Sequence, residues 1–141
     1  MGAWDSGPFD NDTAADWCGE LHDADPEDRA GMVRQALLAA ATSGGYLDSD
    51  EGCAAMAAIA IVAAERCGGP PVTSVYAPDF VLDGTRIGLS DDLVPLALHA
   101  LERVLSENSE LWQLWKEADG GRSLLAEAEP VRAALLRGAA G

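Results

Sequence analysis

Along most of this chain apolar residues recur at intervals of three and four, and Gly, Pro and Asp fall between the runs, which is the period and punctuation of helices. In "DTAADWCGELHD" Ala14, Trp17 and Leu21 share one face. Thr13 and Asp16 have capping-box spacing with Asp in place of Glu, and Asn11 and Asp12 are rival N-caps. "DPEDRAGMVRQALLAAATSGG" predicts the second helix: Asp25 as cap, Pro26 at the first helical position, and Glu27 and Asp28 at the positive end of the dipole. Its buried stripe is Val33, Ala36, Leu37 and Ala40, with Gly44 and Gly45 as the stop. A third helix opens at "LDSDEG", capped by Asp48 or Ser49, and runs through "GCAAMAAIAIVAA", thirteen residues without a charge. That run is too short for a bilayer, which needs about 20 residues. A helix apolar all round belongs at the centre of a bundle, and its alanines let neighbours approach closely.

Gly68, Gly69, Pro70 and Pro71 end this helix, and the stretch from Val72 to Leu89 is the least helical part of the chain. There "FVLDGTRIGL" sets Asp83-Gly84 between β-formers, a hairpin signal that Pro78 and Gly88 weaken. Helical period resumes through Leu93, Ala97, Ala100, Leu101 and Val104, with Pro95 confined to the first turn. A fifth helix turns Leu111, Leu114, Trp115 and Ala118 inward and stops at Gly120-Gly121; a sixth starts with Pro130 and ends near Gly138. The expected fold is therefore all-α: one domain over 1–141, a compact bundle of about six helices, with an irregular connection around residues 70–90.

Composition agrees. Apolar residues make up 48% of the chain and are dominated by Ala and Leu, which lose little freedom in helices. Charge narrows the partners: 24 acids against 9 bases leave −15, and a polyanion does not attract nucleic acid or anionic lipid through a general field. A basic protein remains as a partner, because residues 1–28 hold nine acids and no Lys or Arg. Three cysteines without a CxxC pair make no closed disulfide framework, and no basic-then-apolar leader opens the chain, so the cytoplasm is the expected location.

Specific chemistry finds little support. His22 and His99 have no second His or Cys at helical ligand spacing. "DNDTAAD" and "DSDEG" open like EF-hand loops. The sixth and twelfth positions are Ala15 and Leu21 in one and Cys53 and Ile59 in the other, where Gly and Glu are required. Asp5, Asp10, Asp12 and Asp16 form a carboxylate pair only if the first loop folds back. No nucleophile elbow, Walker lysine or dinucleotide fingerprint is present, so no catalytic residue, metal or cofactor is assigned. Trp4, Trp17, Trp112 and Trp115 lie near the two ends of the sequence, the last two as neighbours on one helix. The favoured reading has the N-terminal segment docking on the fifth helix with these rings filling the join; an exposed interface anchor is the alternative.

Gly2, Trp4, Gly7, Phe9, Asp10, Asn11, Asp12, Ala15 and Asp16, with Ala100, Leu101, Val104, Leu105, Ser109, Glu110, Leu111, Leu114 and Trp115, together resemble a bacterial family known as domain of unknown function 4259. Its Gly-x-Trp-Gly-x-Gly-x-Phe-Asp-Asn-Asp opening is met except at Asp5, which stands where the family usually has Gly. The resemblance implies an intracellular bacterial domain and brings no assigned activity to carry over. It also implies that residues 1–12 form a structural clasp, with Trp4 and Phe9 turned inward and the Asp and Asn residues holding the first helix start. The expected function is a non-enzymatic, inhibitor- or immunity-like binding protein. The alternatives are a small enzyme or ligand-binding domain using the Asp-rich loop, and a structural subunit.

Overall fold

The computed structural model describes residues 12–67 and 87–140, apart from the side chains of residues 12–15, 123, 127, 139 and 140. Six helices account for nearly all of this: α1 (Asp12–Asp23), α2 (Pro26–Ala41), α3 (Ser49–Cys67), α4 (Leu93–Val104), α5 (Glu110–Asp119) and α6 (Arg122–Ala140). No strand forms among the described residues, so the all-α expectation holds. The hairpin expected near Asp83-Gly84 and the stop at Gly68 to Pro71 lie outside them.

The charge-free helix is the hub. Every residue of α3 from Ala55 to Ala63 is buried, and α3 packs against all five other helices. Asp48 is its N-cap, accepting from Glu51 N at 2.8 Å. The expected stripe of α2, Val33, Ala36, Leu37 and Ala40, is buried without exception, as are Leu93, Ala97, Ala100, Leu101 and Val104 of α4. At the start of α2 the Asp25 side chain makes no cap bond; its carbonyl instead accepts from Asp28 N at 2.8 Å, leaving that donor already satisfied. Gly44 and Gly45 do not stop α2. The helix ends at Ala41: Thr42 leaves helical geometry as the C-cap, with both its N–H and its hydroxyl donating to Leu38 O, at 2.9 and 2.6 Å.

Two expectations in the C-terminal third need correction. Leu114 is 37% exposed and Ala118 is exposed, because α5 rests on a narrower stripe: Leu111 sits where a Cβ on Gly52 of α3 would touch it, and the Trp112 ring covers Gly121. Pro130 does not open α6 but lies inside it, eight residues after Arg122. An interior proline costs about 3 kcal/mol. Continuing through it aligns Leu124, Ala128, Val131, Ala134 and Leu135 on one buried stripe, and burial contributes about 1.5–3 kcal/mol for each large side chain among them. The burial term wins.

Polar contacts fix how the helices join. Arg29 donates to Leu21 O and His22 O at 3.1 and 2.8 Å, placing a cation on the open carbonyls of α1. The two loops at one end of the bundle are tied by Leu47 N to Asn108 O and Glu110 N to Leu47 O, both 2.8 Å. Arg103 binds the same pair of loops, donating to Asn108 O at 3.2 Å and to Gly45 O. Buried Ser109 caps α5 by accepting from Trp112 N, and Glu110 accepts from Ser49 N at 2.8 Å, so one α5 residue satisfies the start of α3.

Candidate functional site

Between α1, α2 and α3 the bundle leaves an open groove of about 670 Å³. Its origin is side-chain size. Gly31, Ala36 and Ala39 of α2 and Ala54 of α3 are too small to fill the space beside them, while Met32 and the half-buried Trp17 supply the larger apolar surfaces.

Carboxylates mark both ends. Asp28 lies in the first turn of α2, and Asp50 and Glu51 lie in the first turn of α3 beside the last turn of α2. Each acid is where a helix N-terminus favours negative charge, so their positions follow from local helix physics. The result is an apolar floor between acidic ends. Among the described residues Gln35 is the one neutral polar side chain on the lining, and no Lys, Arg or His is found there.

The residues singled out from sequence divide sharply. Trp17 lines the groove, and Asp16 is exposed beside it on α1. Asp12 begins α1, with its side chain not described, and Trp4, Phe9, Asp10 and Asn11 lie outside the described residues, as does the expected join to α5. Trp112 and Trp115 are half-buried against the core and take no part in the groove. Trp112 packs over Gly121, whose φ of +83° and lack of a Cβ both suit the close approach.

Among the described residues no group of three or more His, Cys, Asp or Glu is placed to hold a metal ion. Burial pushes the Cys18 and Cys53 thiols up to about 12, which keeps them protonated and unreactive. Cys67 is raised less, by partial burial that the nearby Arg66 and Arg137 oppose. The Arg34 guanidinium and the Ser90 hydroxyl hold the Asp92 carboxyl below the usual carboxylate range, in an exposed ion pair of 2.9 Å that ties α2 to the start of α4. No helix is long and apolar enough to cross a membrane among the described residues.

Sequence reasoning explained Asp28 as a dipole acid, met Asp50 and Glu51 only within the helix opening "DSDEG", and did not join the three into a site. One signal was available: Gly31 interrupts an otherwise favourable helix pattern without any turn to serve.

A family model described as Domain of unknown function (DUF4259) matches residues 2–127. No curated protein and no solved structure matches the chain.

Proposed function

The chain belongs to the DUF4259 family, and on that premise we propose that it is a non-enzymatic binding protein that takes a basic protein partner on the α1–α2–α3 groove. One observation carries the reading: an apolar floor bounded at both ends by carboxylates, on a chain whose net charge is −15. Complementary charge of this kind accelerates encounter and selects sign, while the apolar floor supplies the desolvated contact that holds a partner. An inhibitor- or immunity-like role follows if the basic surface covered is the partner's working surface.

A pull-down from cells at about 50 mM and about 500 mM salt, with wild-type chain and two altered baits, tests it. One bait carries Gly31→Leu, which fills the floor; the other carries Asp28→Asn, Asp50→Asn and Glu51→Gln. A basic protein retained by the wild type at low salt, and lost from both variants, is the expected result. Equal recovery on all three baits refutes the groove as the binding surface.

A further inference from the structure

Resting on that reading, we infer that the partner presents a single basic amphipathic α-helix, about three turns long, that lies along α2 in the groove. From Asp28 to Ala39 the floor follows α2 for twelve residues, eleven steps of 1.5 Å or about 16 Å. That is the length of three helical turns.

The groove suits a helix better than an extended peptide for a reason of hydrogen bonding. An extended chain leaves its backbone N–H and C=O groups to be satisfied by the surface it binds. The floor here is built on two helices whose backbone groups are bonded internally, and Gln35 is the one neutral polar side chain described on it. A bound helix brings its own backbone bonds and needs only an apolar stripe. Cations near its two ends then meet Asp28 at one end and Asp50 with Glu51 at the other.

Gly31 adds to this through its place on the floor, since Gly19 of α1 is equally open but lies outside the groove. Glycine is a poor residue in a helix interior, and nothing among the described residues requires it here. Its φ is not positive, and a Cβ added to it meets nothing within 4 Å. Gly52 and Gly138 differ, since a Cβ on the first would touch Leu111 and one on the second would overlap Cys67 Sγ. Bare backbone on the floor, about one turn from its Asp28 end, is what close approach of a second helix uses. Met32 and Trp17 beside it provide the adaptable and the aromatic contacts typical of helix-binding surfaces.

The test titrates the full chain, followed by amide chemical shifts, with three probes. The first is a capped peptide of about 14 residues made of Ala, Leu and Lys, with Leu on one helical face and Lys near both ends. The second is the same composition in scrambled order, and the third is spermine. The first peptide is expected to bind at least about tenfold tighter than the scrambled one, shifting the amides of Gly31, Met32, Ala39 and Ala54. Gly31→Leu is expected to weaken that binding by at least about tenfold, without lowering the thermal midpoint. Gly19→Ala, outside the groove on α1, leaves it unchanged. If the scrambled peptide or spermine binds as well as the first, helix recognition is overturned while the cationic-partner reading stands. If no probe saturates the groove, both fall. Concentration-dependent self-association that shifts the same amides without any peptide overturns the proposal in favour of a second copy of this chain.

Discussion

Replacing Glu65 with Ala is expected to destabilise the protein far more than a half-exposed acid normally does. Glu65 stands in the last turn of α3, where the helix dipole disfavours a negative charge. Its carboxylate is held there by three successive backbone donors: Ile87 N at 2.6 Å on one oxygen, and Gly88 N at 3.1 Å and Leu89 N at 2.7 Å on the other. Gly88, at φ +87°, lets these N–H groups converge on one anion. Hydrogen bonds to a charged group contribute about 1.5–3 kcal/mol each. Water competes at this partly exposed site and the three are not additive, so the loss in Glu65→Ala comes to about 2–4 kcal/mol. Glu65→Gln keeps one accepting oxygen and turns an amide N–H toward the remaining donors, so about half that loss is expected. Urea unfolding followed by circular dichroism and by tryptophan fluorescence measures both changes, and amide exchange at Ile87, Gly88 and Leu89 reports the local release. A loss below about 0.5 kcal/mol in the Ala variant, or a Gln variant as stable as wild type, refutes the account.

Pro130→Ala restores a backbone donor on the exposed side of α6 and is expected to stabilise the protein by about 1–3 kcal/mol, read as an upward shift of the thermal midpoint. Gly121→Ala does the opposite, since its Cβ would lie 2.6 Å from the Trp112 ring at φ +83°; a loss of about 2–4 kcal/mol with altered tryptophan emission is expected. Thiol labelling of the native chain at neutral pH should modify Cys67 first, with Cys18 and Cys53 reacting only on unfolding. Alkali gives a sign that can be checked. The unfolded chain releases its thiol protons from about pH 9, while folded Cys18 and Cys53 hold theirs to about 12. Stability from this source is therefore full below pH 9 and falls through that window, and Cys53→Ala should flatten the fall in denaturation midpoints.

Where local signals agreed, the sequence was readable. In α2 a proline, two acids and a repeating stripe all point to one helix, and the four stripe residues are buried as expected. In α3 the absence of charge over thirteen residues leaves no place for that helix except the centre. The misreadings arise where a distant contact decides. Leu114 and Ala118 match helical period, but the inward face of α5 is set by what Leu111 and Trp112 find on α3 and at Gly121. Pro130 looks like a helix start until the alignment of Leu124 with Val131 and Leu135 outweighs its missing donor. Glu65 gave one local hint, an acid at the wrong end of a helix, and its partners lie more than twenty residues away.

The same division bears on which residues are available for function. In the second stretch that carries the family resemblance, Ala100, Leu101 and Val104 fill the core, Ser109 caps α5, Glu110 accepts from Ser49 N, and Leu111 packs on Gly52. These residues are engaged in holding α3, α4 and α5 together, and substitution there acts on the fold first. The groove draws on Trp17, Asp28, Gly31, Met32, Asp50 and Glu51, and none of these falls among the residues of either stretch. Gly31 can even gain a side chain without a clash. The proposed groove and the contacts that hold α3, α4 and α5 together therefore draw on separate sets of side chains, both within the span 2–127 that the family model matches. A change at Gly31 should alter what the protein binds while leaving its stability equal or higher, and a change at Ser109 or Glu110 should do the reverse.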